Sequence, residues 1–248
     1  MLRDLLSRFV PIAPIAPIAL VACAACSGTG QPDIDYATFA APTPQAPIGA
    51  DHGWTVTLDQ ATVAFGPVYF CASESGSATL CETAIGELLT TTAFDALDAT
   101  PHALGTAHGL VGKIQSASYD YGIHWFLTDD APSPSTVAPG GHSAHFSGTA
   151  RRGEKKHHFV ADVDVVPQFQ GQRAAPSQVA SATIAGDGQK LDIQFAVGQW
   201  FEHVDFNDAP AGVDPYVINA TTAPRNHGAI VIGMTAEAPP AFVWSAAP

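Results

Sequence analysis

Glycine and proline break this chain so often, at 22 and 20 of its 248 residues, that no segment sustains the period of a long helix. Between the breaks, apolar residues recur at every second position, the spacing of a half-buried strand. Trp54-Thr55-Val56-Thr57-Leu58-Asp59 alternates with Trp54, Val56 and Leu58 on one face. Residues 158–166 do the same with Phe159, Ala161, Val163 and Val165. The runs 181–185 and 191–197 flank Gly186-Asp187-Gly188, a hairpin signal. Further strands are expected over 63–70 (interrupted at Gly66-Pro67), 110–127, 199–206, 216–219, 229–234 and 241–244. Residues 82–97, with Leu88, Leu89, Phe94 and Leu97, suit either a short helix or a strand. The pattern predicts an all-β fold: a β-sandwich or partly closed antiparallel barrel with short strands and at most one short helix.

The N-terminus has a different grammar. Residues 1–8 carry Arg3 and Arg8, and residues 9–22 are apolar, built on three Pro-Ile-Ala repeats. Fourteen apolar residues containing three prolines are too short and too broken to span about 30 Å of hydrocarbon as a helix, which leaves a signal peptide. Leu20-Val21-Ala22-Cys23 resembles the lipobox of bacterial lipoproteins. That resemblance implies cleavage before Cys23, fatty acylation (palmitate or a similar chain) of its sulfur and new amine, and a membrane as partner through the lipid anchor. Ala24 follows rather than Asp, which by the enterobacterial sorting rule implies the outer membrane, with the domain facing the periplasm or the cell surface. The alternative is an ordinary secretory signal ending near Ala25. The division expected is 1–22 signal peptide, 23–50 lipid anchor and Pro/Ala-rich flexible tether, and 51–248 a single β-domain.

Without Arg3, Arg8 and Asp4, the chain has 8 basic and 22 acidic residues, a net charge of −14. That charge repels phosphate backbones and argues against nucleic-acid binding, while it attracts cations. Of the four cysteines, Cys71 and Cys81 are expected to form a disulfide across a hairpin in an oxidising compartment, with a metal-binding pair as the alternative. Cys26, beside the anchor, has no assigned role.

Histidine is the unusual resource: ten of them, as many as Lys and Arg together. Neutral imidazole suits copper and zinc, so a Cu or Zn site is the chemistry this composition favours. His142 and His145 lie three apart in a glycine loop that lets both turn toward one ion. His158, Asp162 and Asp164 share one strand face by the period of two, and complete the candidate metal set with His142 and His145. Neither the Cys-x-x-Cys nor the His-Glu-x-x-His spacing occurs. Gly141-His142-Ser143-Ala144-His145 resembles a nucleophile elbow, but His145 replaces its second glycine and a strand, not a helix, should follow. Arg151-Arg152-Gly153-Glu154-Lys155-Lys156 reads as a hairpin tip, and Trp200-Phe201 as the one place where a sugar ring could stack.

Gly53-Trp54-Thr55-Val56-Thr57-Leu58 and the closing Pro239-Pro240-Ala241-Phe242-Val243-Trp244 resemble uncharacterised lipoproteins of proteobacterial and myxobacterial type. The resemblance implies no activity. The expected role is that of an exported, membrane-anchored lipoprotein with a non-catalytic binding or structural function; the alternative is a periplasmic or surface Cu/Zn-binding protein using clustered histidines.

Overall fold

A computed structural model describes residues 32–44, 47–74, 81 and 84–246, which belong to one compact unit, Pro32–Pro248. The expected signal peptide, Cys23 and Cys26 lie outside the described residues. In chain order the first strands are β1 (Asp33–Pro42), β2 (Ile48–Ala50), β3 (Trp54–Phe65), β4 (Val68–Cys71) and β5 (Ala84–Leu88). There follow β6 (Thr92–Asp95), β7 (His102–Leu110), β8 (Gly112–Tyr119), β9 (Ile123–His124) and β10 (Ser133–Pro134). The rest are β11 (Ala144–Arg152), β12 (Lys155–Val163), β13 (Gln178–Ile184), β14 (Gln189–Phe195), β15 (Tyr216–Ile218) and β16 (Ala241–Ala246). One α-helix, α1 (Pro224–Ile232), precedes β16.

The expected all-β class is what forms. An eight-stranded sheet has the order β13-β8-β4-β5-β7-β1-β14-β16, and its edges β13 and β16 lie beside each other without pairing, which leaves a barrel not quite closed. A second sheet runs β15-β12-β11-β3-β2, with β6 on the C-terminal half of β3. Aromatic side chains join the two. The Phe65 ring, from β3, meets Tyr119 of β8 at 5.2 Å and Phe195 of β14 at 4.9 Å. Aromatic packing of this kind, edge-on for Phe65 and Phe195, adds to the burial of apolar area. Cys71 and Cys81 form the expected disulfide, across the antiparallel β4–β5 pair.

Several local expectations are corrected. β1 occupies much of the expected tether: Ile34, Tyr36, Thr38 and Ala40 point inward, and the strand bonds to β7 on one side and β14 on the other. The hairpin signal at 186–188 does connect two strands, but β13 pairs with β8 and β14 with β1 and β16, so the two do not pair with each other. Residues 199–206 are not a strand. Val197–Phe201 is a 3-10 turn in which Trp200 and Phe201 are both buried. Residues 229–232 belong to α1, which opens on Pro224 in its first turn, where a missing N–H costs nothing, and residues 233–234 begin the π-helical turn Gly233–Glu237. Gly233 packs against Trp200, where a Cβ would approach the Trp200 Cα to 2.7 Å. In 110–127, the strand pairing stops at Tyr119 and continues only as an isolated bridge from Tyr121 to Gly66 and the two residues of β9.

One ion pair is wholly buried. Arg173 donates from Nη1 to Asp120 Oδ2, with the two side chains 2% and 0% exposed. The Ala174 N–H gives Asp120 a second bond at 3.3 Å, and the Tyr69 and Phe126 rings flank the guanidinium. Burial raises the Asp120 carboxyl to about 6, against the pull of Arg173. Breaking such a pair from one side leaves a bare charge in the interior, whereas replacing both partners by apolar groups does not. Arg173→Met should therefore lose about 3–5 kcal/mol in urea unfolding, and the Asp120→Leu/Arg173→Met double variant distinctly less.

Candidate functional site

The hairpin β11–β12 places the histidines. Ala144, Phe146, Gly148 and Ala150 face the core from β11, and Phe159, Ala161 and Val163 from β12. Alternation then turns His145 and Asp162 outward, and the strand register sets them directly opposite each other. Asp164, two residues on, faces the same way about 7 Å farther along. His142 reaches it through the 3-10 turn Pro139–Gly141, where Gly140 and Gly141 take φ of 61° and 86°, a region that favours glycine. The result is two His–Asp pairs side by side: His142 Nδ1 to Asp164 Oδ1 at 2.8 Å, and His145 Nδ1 to Asp162 Oδ1 at 2.7 Å.

A carboxylate oxygen has only lone pairs to offer, so in each pair Nδ1 carries the proton and donates it. Each Nε2 is then left with its lone pair, and neither makes a hydrogen bond among the described residues. The imidazoles are 33% and 28% exposed, accessible yet held. A carboxylate on the far ring nitrogen is how proteins fix the tautomer and orientation of a metal-binding histidine.

A third histidine stands behind them. His227, on α1, accepts at Nε2 from the Asp164 backbone N–H at 3.0 Å. Burial lowers its pKa; Asp164 pulls it back up, and His142 adds to the lowering. The sequence carries no signal for this contact, because α1 reads as a strand and the partner is 63 residues away.

The candidate set of the sequence is thus divided. His142, His145, Asp162 and Asp164 come together as two pairs, while His158 lies apart, its Nδ1 2.9 Å from Asp214 Oδ2. Among the described residues no three His, Cys, Asp or Glu side chains converge closely enough to hold one metal ion. Other histidines are separately engaged: His52 with Asp205 at 3.2 Å, His108 with Asp35 at 2.6 Å, and His203 with Glu237 at 3.2 Å. Ser143 is buried and its Oγ accepts from the Val165 N–H, so the elbow-like motif exposes no nucleophile. Trp200 and Phe201 are 1% and 0% exposed, which removes the sugar-stacking platform.

No family model and no curated protein matches the chain. Among solved structures it is similar to MbnP from Methylosinus trichosporium, at 12% identity and a TM-score of 0.36, over 88% of this chain and 99% of that chain. A functional reading therefore rests on the geometry of the site itself.

The His227 geometry has a pH consequence. Folding keeps this imidazole neutral, whereas the unfolded chain takes up a proton below the ordinary value of 6.5. Its contribution to stability is complete above pH 6.5 and declines as pH falls from there toward the lower folded pKa. Urea unfolding between pH 7.5 and 5.5 should show a loss of stability that His227→Gln, which can still accept the Asp164 N–H, reduces. An identical pH dependence in the two proteins would contradict the assignment.

Proposed function

We propose that this chain is an exported lipoprotein, anchored through Cys23, whose β-domain has a non-catalytic binding role. The leader and the Leu20-Val21-Ala22-Cys23 motif support the anchor, and the acidic charge supports a cationic ligand. The ligand that the surface favours is a transition-metal ion, copper or zinc. One observation carries this reading: two partly exposed imidazoles on one face, each with Nδ1 tied to a carboxylate and Nε2 unengaged among the described residues. Two protein donors leave coordination positions open, unlike the four of a closed structural zinc site. Such a site suits an ion that is taken up and passed on, with water or a second molecule completing its shell.

Growth on labelled palmitate should label the wild-type chain and not Cys23→Ser. Calorimetric titration of tag-free protein with Zn(II) and Cu(II) should show one stoichiometric site at micromolar concentration. The His142→Ala/His145→Ala variant should lose that site, and Asp162→Asn/Asp164→Asn should weaken it about 10–100-fold through the lost orientation. Absence of stoichiometric binding, or binding unchanged in the histidine variant, would sink the metal reading and leave the anchor to stand or fall on the labelling.

A further inference from the structure

The turn end of the same hairpin has the opposite electrostatic character. Four of the chain's ten Lys and Arg fall within residues 151–156, in a protein of net charge −13. Two of them, Lys155 and Lys156, line a cleft of about 350 Å³ together with Trp54, His157, Phe206 and Asn207. Its floor is aromatic: the Trp54 ring lies 5.9 Å from Phe206 and 5.3 Å from His157, inclined to them by 53° and 46°.

We propose that this cleft binds a small organic anion, a carboxylate or phosphate monoester carried on a flat apolar body. The basic side chains divide by role. Arg152 is committed to the frame: its guanidinium lies 4.9 Å above the Trp54 ring and donates to His52 O at 3.1 Å and Asn207 Oδ1 at 2.7 Å. Lys155 and Lys156 make no ion pair or side-chain hydrogen bond among the described residues, so both ammonium groups are available to a ligand.

Of the acids nearby, Glu154 at the hairpin tip makes no ion pair among the described residues, while Asp205 and Asp208 are engaged. Asp205 accepts from the Asn207 N–H at 2.9 Å and from Asn207 Nδ2 at 2.7 Å, and faces His52. Asp208 faces Arg225 at 3.5 Å. The chain Arg152–Asn207–Asp205–His52 therefore holds the mouth in shape before any ligand arrives, which reduces the ordering cost of binding. A second observation points the same way. Trp54, which lines the cleft, is 2% exposed, yet its indole Nε1–H has no acceptor among the described residues. Buried donors without partners are rare, and an anionic oxygen is the class of atom that satisfies one. Cleft size, aromatic floor and convergent cationic groups are the usual elements of a small-ligand site.

The full chain would be titrated calorimetrically with phenyl phosphate, benzoate, inorganic phosphate and benzylamine. Saturable one-to-one binding of phenyl phosphate, benzoate or both is expected, the tighter of the two identifying the headgroup. Inorganic phosphate, lacking the apolar body, should bind at least about tenfold more weakly, and benzylamine not at all. Lys155→Gln/Lys156→Gln replaces two exposed residues, so its melting temperature should be unchanged while affinity falls about tenfold or more. His142→Ala/His145→Ala should bind the anions as the wild type does, which separates this site from the metal face. No saturable binding of either aromatic anion up to millimolar concentration would overturn the proposal. So would equal binding of inorganic phosphate or benzylamine, or an affinity that the double lysine variant leaves unchanged.

Discussion

The register between β11 and β12 is the constraint on which both surfaces depend. Ala144 opposite Val163 and Phe146 opposite Ala161 put four apolar residues into the core. The same register leaves His145 opposite Asp162 and Arg151 opposite Lys156 on the outside. A slip of one residue on either strand would send carboxylate or imidazole inward and Phe146 or Phe159 into water. Burial of those rings against Phe201, at 5.1 and 5.9 Å, opposes such a slip. Packing in the interior thus fixes chemistry on the exterior. The two-residue connection at Gly153–Glu154, with Gly153 at φ 57°, holds the alignment at the tip.

Opposite characters at the two ends of one hairpin follow from this arrangement. Toward the β11 N-terminus, carboxylates hold imidazoles by Nδ1 and leave Nε2 as cation-seeking donors. At the turn, free ammonium groups stand over an aromatic floor. Asp162 and Asp164 at one end, and Asp205 and Asp208 at the other, are each engaged by neighbours.

The fold class was legible because alternation of apolar residues is a local signal and survives in a single sequence. β3, β11 and β12 read directly as strands. β1 did not, because its inward positions beyond Tyr36 are filled by Thr38 and Ala40, and Pro42 ends it in a run resembling a linker. Only pairing with β7 and β14, which are distant in sequence, makes that segment a central strand. Residues 199–206 and 229–234 failed for the converse reason. Short apolar runs fit a strand and a helical turn equally well, and packing decided between them.

The candidate site was legible in part. Period-two spacing placed Asp162 and Asp164 on one face, and the glycines before His142 pointed to a loop in which His142 and His145 could turn the same way. Spacing alone did not show that each carboxylate would hold an imidazole instead of facing an ion. It also grouped His158 with them, although a contact with Asp214, 56 residues away, takes that side chain elsewhere.

The most direct test of the His–Asp face reads the ring nitrogens themselves. Long-range proton–nitrogen correlation spectra of the ¹⁵N-labelled protein at neutral pH should show His142 and His145 as Nδ1–H tautomers. Addition of zinc should then shift the Nε2 signals of both together. An Nε2–H tautomer in either residue, or Nε2 signals that zinc leaves in place, would contradict the account.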